Sequence, residues 1–486
     1  MKNYRNLTIK ELHELLVNKE VTPLELTKEA LELAKKDTND AIEYLMEKEA
    51  LEIASNLKEP EVNNPLWGIP FIIKDNMSTK DVPTTASSNI LNGYVPLFDA
   101  TVVTKLKEAH AVPICKATLD ELAMGGTGTT GHLGTTYNPY DRSHKHLVGG
   151  SSCGSAALVA DGVAPLALAS DTGDSTRKPA SYAGLVGFKP TWSRISRFGL
   201  FPFAPSLDTI GFFTRSVLDS AYTLNVLAGR DLNDSTSSIK EVEDYTRLLN
   251  EPIKGKKIAI IKEINEATSD KTLLDLFAKT VKELENKGAE VHYVSVSRHL
   301  LETLFPTYFV ISCAEATSNN ANLDGVKFGP AYDGATYQEV MTKARTKGFS
   351  ELIKRRFVIG SYALMRENQN ELFLRAQKNR RRIVEEINKI LEEYDLIYTI
   401  AAPSVAPTFD NASDKLSDEY LIADNHLVIG NFTGLPSITI PVGFENDLPL
   451  GVNIMGKAFH EAEVLQLANN IEEITGLYGL VAKEGK

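Results

Sequence analysis

Serines carried on small-residue loops, with a lysine closing an apolar run upstream, are the parts of this sequence that could do chemistry. Between residues 147 and 190 the chain reads LVGGSSCGSAALVADGVAPLALASDTGDSTRKPASYAGLVGFKP. The first loop, GGSSCGSA, runs into an Ala-rich stretch of helical character; the second, SDTGDST, follows the apolar run VAPLALA. Little side-chain volume lies between such backbone amides and a ligand, and successive N–H groups there can converge on negative charge. A serine hydroxyl is a poor nucleophile without an adjacent base. Upstream, GIPFIIKDN places Lys74 directly after Ile69–Ile73. Burial at that point would draw its amine from a pKa of about 10.4 down toward neutrality, where it can accept a proton.

Other chemistries compete for the same residues. Gly150-Ser151-Ser152-Cys153-Gly154 fits a G-x-S-x-G nucleophile elbow centred on Ser152, which would pair with one of the nine histidines in an esterase. That elbow should follow a buried strand, whereas the polar run Arg142-Ser143-His144-Lys145-His146 precedes it. A phosphate-binding loop needs a lysine after its last glycine, and neither loop has one. Either loop alone reads most simply as a tight turn with capping serines, and Lys74 alone as a solvated strand end.

Taken together, GIPFIIKDN, GGSSCGSAALVADG and SDTGDSTRKPASYAGLVGFKPT resemble the amidase signature family, in three segments and in the family's order. The resemblance implies a catalytic set of Lys74, Ser151 and Ser175, with Ser151 relaying a proton between the other two. It also implies an oxyanion hole from the backbone of Thr172, Gly173, Asp174 and Ser175. Ser151 and Ser175 are 24 residues apart, the spacing the family shows. Attack on an amide carbonyl would leave an acyl group on Ser175 and release ammonia or an amine.

The likeness extends over nearly the whole chain. TKARTKGFSELIKRRFVIGSYAL, AAPSVAP and LIADNHLVIGNFTGLPSITIPVGFENDLPLGVNIMG resemble the A subunits of bacterial glutamyl-tRNA(Gln) and aspartyl-tRNA(Asn) amidotransferases. That branch implies free glutamine as substrate, its α-carboxylate held by Arg356 (or Arg355) and its α-ammonium by Asp424, with Tyr308 lining the pocket. It implies a cytoplasmic heterotrimer in protein biosynthesis, a ligase overall. The B subunit handles tRNA with ATP and Mg²⁺, the C subunit braces the pair, and this chain carries no cofactor or metal. A stand-alone small-amide amidase and a catalytically impaired scaffold are the alternatives. Two residues depart from the family pattern, Cys153 and Asp174, both where glycine is usual. A carboxylate next to the nucleophile would repel a developing oxyanion if it pointed inward.

Apolar or β-branched runs at 69–73, 111–114, 163–169, 257–262, 290–296, 396–400 and 437–442 alternate with helical patterns. They predict an α/β fold, a central mixed sheet covered by helices on both faces. We expect one amidase-signature domain over 1–486, its core at about 66–215, with DLNDSTSS (231–238) as a surface linker or insertion. Residues 8–36 predict two helices, the second capped by Thr22 with Pro23 in its first turn. Net charge is −12, which argues against a chain that itself neutralises nucleic-acid phosphates. Three scattered cysteines form neither a disulfide framework nor a metal cluster, and no run has a signal-peptide core or membrane-span length. The expectation is a soluble, cytosolic protein.

Overall fold

Both N-terminal helices begin at capping boxes. The computed structural model describes residues 4–411 and 417–483. In it, Glu25 N donates to Thr22 Oγ1 at 3.2 Å while Thr22 N donates to Glu25 Oε2 at 2.9 Å, opening the helix Pro23–Lys35. Thr8 and Glu11 do the same for Ile9–Val17. Each such cap is worth about 1 kcal/mol.

Eleven strands then build one sheet: β1 (Ile42–Leu45), β2 (Pro70–Lys74), β3 (Val112–Ala117), β4 (Leu166–Asp171), β5 (Val186–Lys189), β6 (Thr209–Thr214), β7 (Lys257–Ile261), β8 (Glu290–Val294), β9 (Leu396–Ile400), β10 (Ser437–Glu445) and β11 (Leu448–Gly456). Their order is β1-β3-β2-β4-β6-β5-β10-β11-β9-β7-β8. The pairs β3–β2, β2–β4, β9–β7 and β7–β8 are parallel and the rest antiparallel, so the sheet is mixed as predicted. Every residue of β2, β3, β4 and β6 is buried, which requires cover on both faces of the sheet. Part of that cover is the helix Cys153–Ala160, apolar all round and buried along its whole length.

Seven strands coincide with the predicted apolar runs. The other four, β1, β5, β6 and β11, were not predicted: β1 and β5 have only four residues, β11 has Gly451 and Asn453 inside it, and β6 is interrupted by Gly211. The β10–β11 hairpin turns through Asn446 and Asp447, at φ 50° and 66°. Positive φ at both central residues suits the strand twist, and Asn and Asp tolerate it.

The segment 231–238 is a loop held against the body. Asp231 accepts from Ser196 Oγ at 2.6 Å and Thr101 Oγ1 at 2.5 Å, and Asp234 accepts from Arg197 N at 2.8 Å. For the site, the placement of β2 beside β4 matters most. It sets the end of β2, Lys74, next to the end of β4, Ser170 and Asp171.

Candidate active site

Lys74 is completely buried, and its Nζ lies 2.8 Å from Ser151 Oγ, 2.8 Å from Ser152 Oγ and 2.9 Å from Ser170 Oγ. Burial pushes the amine down to about 7, against the raising pull of Cys153 and of the carboxylates of Asp120, Asp171 and Asp208. A neutral amine keeps two N–H donors and one lone pair, so one of its three hydroxyl neighbours must donate to it. Ser152 Oγ donates to Ser170 O at 3.2 Å, whereas Ser170 Oγ, which accepts from Asn76 Nδ2 at 3.0 Å, keeps its own proton. Ser151 Oγ has no further partner among the described residues, which leaves its proton free to move along the Lys74 contact.

Burial alone does not make a lysine a base. Lys189 is equally buried and is also pushed down to about 7, yet it donates to the carbonyls of Pro190 at 3.0 Å and Leu435 at 2.6 Å. Carbonyl oxygens have no proton to give, so that amine is structural. Lys74 differs because its neighbours are hydroxyls.

The first serine loop enters with a cis peptide between Gly150 and Ser151. A Cβ on Gly150 would lie 1.9 Å from Asp120 Oδ2. That carboxylate collects the N–H groups of Thr127, Gly128, Thr129 and Thr130 at 3.0–3.2 Å, and Asp120 N donates to Ser151 O at 3.1 Å. The serine pair is thereby keyed to a second loop that sequence reasoning did not single out.

The second serine loop is held by an ion pair. Arg177 donates to Asp171 at 2.9 and 3.1 Å, to Gly173 O at 2.9 Å and to Asn431 Oδ1 at 2.7 Å, while Asn431 Nδ2 donates back to Asp171 Oδ1 at 2.9 Å. Burial opposes the charge of Asp171, but the guanidinium outweighs it and holds the carboxyl at about 2. Thr172 Oγ1 donates to Asp208 at 2.7 Å. Between these anchors the N–H groups of Gly173, Asp174 and Ser175 make no hydrogen bond among the described residues. Unpaired amides in so buried a turn are rare and point to a ligand that would fill them.

Ser175 is 4% exposed and its hydroxyl has no hydrogen-bond partner among the described residues. The loops do meet at backbone level, Ser152 N donating to Ser175 O at 3.3 Å. Lys74 is therefore in contact with Ser151 as anticipated, whereas the structure records no hydrogen bond between Ser151 and Ser175. Ser152 and Ser170 join the lysine without having been predicted; the Ser of SDTGDST that ends the apolar run was the available signal. Ser152 is not at an elbow, because among the described residues no strand leads directly into it, and its hydroxyl lies against Lys74 and Ser170 O, not a histidine.

The predicted substrate residues gather on the same side. The helix Glu351–Leu364 packs closely on Leu304–Asn319; a Cβ on Gly360 would meet Cys313 O at 2.1 Å. Of the two candidate arginines, Arg355 is exposed, while Arg356 stacks over Phe203 at 5.7 Å and Phe309 at 5.2 Å, its Nη1 buried and without a hydrogen-bond partner among the described residues. Tyr308 lies over the turn at Gly173, where an added Cβ would come within 3.1 Å of its ring. Burial pushes its phenol up, with Arg356 and Asp174 both in electrostatic reach. Asp424 Oδ1 is 3.1 Å from Lys178 Nζ, which also lies 2.7 Å from Asp174 Oδ2. The Asp174 carboxylate is thus tied to a lysine four residues on.

A serine driven by this amine is expected to react faster as pH rises through about 7 and to plateau above it, since only neutral Lys74 accepts a proton. The rate constant for covalent labelling of Ser175 by a phosphonofluoridate, followed from about pH 5.5 to 9, checks this.

The Amidase family matches the chain over residues 24–465. The A subunit of glutamyl-tRNA(Gln) amidotransferase from Heliobacterium modesticaldum is 41% identical over 480 residues, 97% of each chain. Its counterpart from Streptococcus sanguinis is 40% identical over 477 residues, again 97% of each. Among solved structures, the A subunit of the Thermotoga maritima glutamyl-tRNA(Gln) amidotransferase matches with a TM-score of 0.79 at 35% identity, over 100% of this chain and 99% of that one. The native peptide amidase from Stenotrophomonas maltophilia gives 0.83 at 25% identity, over 99% of each. The protein is thus an α/β enzyme of the amide-cleaving class. The chain belongs to the amidase signature family.

Proposed function

We propose that this chain is the glutaminase of a tRNA-dependent amidotransferase, hydrolysing free glutamine through an acyl-enzyme on Ser175. The observation that carries the reading is a buried amine near neutrality, in contact with Ser151, on a loop that touches the Ser175 turn and its unpaired N–H groups. In this reading Ser175 Oγ attacks the side-chain carbonyl, its proton passing to Ser151 as Ser151 gives its own to Lys74. The oxyanion settles on the amides of Thr172–Ser175. Lys74 then returns the proton through Ser151 to the leaving ammonia, and water resolves the ester by the same path.

Arg356 would hold the α-carboxylate, since its Nη1 is buried and has no hydrogen-bond partner among the described residues. Asp424 would take the α-ammonium, with Tyr308 as a wall. A charge-assisted pair of this kind is worth about 2–3 kcal/mol. Arg356→Met is therefore expected to raise KM for glutamine roughly 30- to 100-fold with a smaller change in kcat. An unchanged KM in steady-state assays would place the carboxylate elsewhere.

The near full-length likeness to A subunits of known amidotransferases supports the partner assignment: B and C subunits complete a cytoplasmic heterotrimer, and ATP, Mg²⁺ and tRNA belong to the B subunit. The product is Gln-tRNA(Gln) made from Glu-tRNA(Gln). We also read residues 1–486 as one domain. Co-purification with candidate B and C subunits, followed by glutamine-dependent transamidation with a Ser175→Ala control, tests the assignment. Glutaminase activity indifferent to partners, tRNA and ATP would instead indicate a stand-alone amidase.

A further inference from the structure

We propose that Lys178 is a positioning residue that draws the Asp174 carboxylate off the oxyanion turn and, through Asp424, sets the charge offered to the substrate's α-ammonium. This rests on the glutaminase reading for its substrate, but its geometry is independent of it.

The side chain of Lys178 is 9% exposed, and its Nζ lies 2.7 Å from Asp174 Oδ2, 3.1 Å from Asp424 Oδ1 and 2.6 Å from Asp424 O. An ammonium has three N–H donors; here one is hydrogen-bonded to Asp424 O, and the two carboxylates lie within ion-pair distance of the same nitrogen. Asp424 Oδ2 has no partner among the described residues and faces no second cation. Two carboxylates around one ammonium leave a single net negative charge, matching one α-ammonium. Arg356 offers the opposite charge for the α-carboxylate.

The two acids answer to different steps. Asp174 immediately precedes the nucleophile, so its carboxylate without Lys178 would stand beside a developing oxyanion at short range. Repulsion there acts on the transition state more than on bound substrate, and so on kcat. Asp424 meets the ground-state ammonium. If Asp174 is neutralised while Lys178 stays, Lys178 cancels Asp424 instead, and substrate binding weakens. The two residues must then be lost together or kept together.

The test is a double-substitution cycle on the full chain with any partners it needs. Lys178→Met is expected to lower kcat about 100-fold with little change in KM. Asp174→Asn is expected to raise KM for glutamine about tenfold with kcat within about threefold. The double variant should recover most of both losses, and Lys178→Arg should stay closer to wild type than Lys178→Met. The rate of Ser175 labelling by an uncharged phosphonofluoridate should fall in Lys178→Met and return in the double variant, with thermal denaturation confirming that each variant folds. Additive losses in the double variant, or an Asp174→Asn variant with unchanged KM, would overturn the proposal. A wild type that is labelled but does not hydrolyse glutamine refutes the substrate reading, and the labelling cycle still decides the role of Lys178. A wild type that is not labelled at all overturns both.

Discussion

Ser175→Ala is expected to abolish glutamine hydrolysis, lowering kcat by roughly four or more powers of ten, because removing a nucleophile that acts as part of a unit costs nearly the whole chemical rate. The fold should be almost indifferent. The Ser175 hydroxyl makes no hydrogen bond among the described residues, so its removal leaves no buried partner stranded. Kinetics and thermal denaturation of the same variant therefore part company. Ser152→Ala should behave the opposite way. Its hydroxyl lies 2.8 Å from Lys74 Nζ and 3.2 Å from Ser170 O, so the loss strands buried groups and costs about 1–3 kcal/mol of stability. Its effect on rate should be far smaller than that of Ser175→Ala. Equal activity losses in the two variants would mean that the serines share one role, contrary to the geometry.

Lys74→Met is expected to produce the second large loss, about three to five powers of ten in kcat, since no other amine approaches the Ser151 hydroxyl among the described residues. It should also change how stability depends on pH. The folded protein holds Lys74 at about 7, whereas the unfolded chain titrates at about 10.4. Between those values the unfolded state binds a proton that the folded state does not, so this group makes stability rise with pH across that window. Below about pH 7 both states are protonated and the slope vanishes, with the cost of the buried charge fully present. Methionine removes that contribution, so the slope between about pH 7 and 10 should flatten. Urea denaturation at several pH values measures this, and an unaltered slope would show that Lys74 is charged in the folded protein near neutral pH.

How much of this was readable beforehand depended on how local the signal was. Thr22–Pro23 announced a helix start through two adjacent residues, and the apolar runs of β2, β4 and β7 announced strands because both their faces are buried. β11 escaped notice because its burial comes from neighbours distant in sequence, not from its own composition: Gly451 and Asn453 sit inside a strand flanked by β9 and β10. In the site, the three segments singled out Lys74 and Ser151, and the structure sets the two in contact. Ser170 was not, because its approach to Lys74 exists only once β2 and β4 lie side by side. The same is true of Asp120, whose carboxylate organises four amides of a loop that reads as featureless glycine and threonine. Asp174 could be noticed as a departure, but its fate could not be read, since that depends on the helical turn that brings Lys178 back to it.

The most direct measurement is rapid-quench mass spectrometry of the enzyme mixed with glutamine about one pH unit above the Lys74 midpoint, mapping any covalent acyl group to a peptide. A γ-glutamyl ester is predicted on Ser175, formed in the wild type, absent from Ser175→Ala and strongly slowed in Lys74→Met. Turnover of glutamine with the acyl group on Ser152, or with undiminished rate in the absence of the Ser175 hydroxyl, would contradict it.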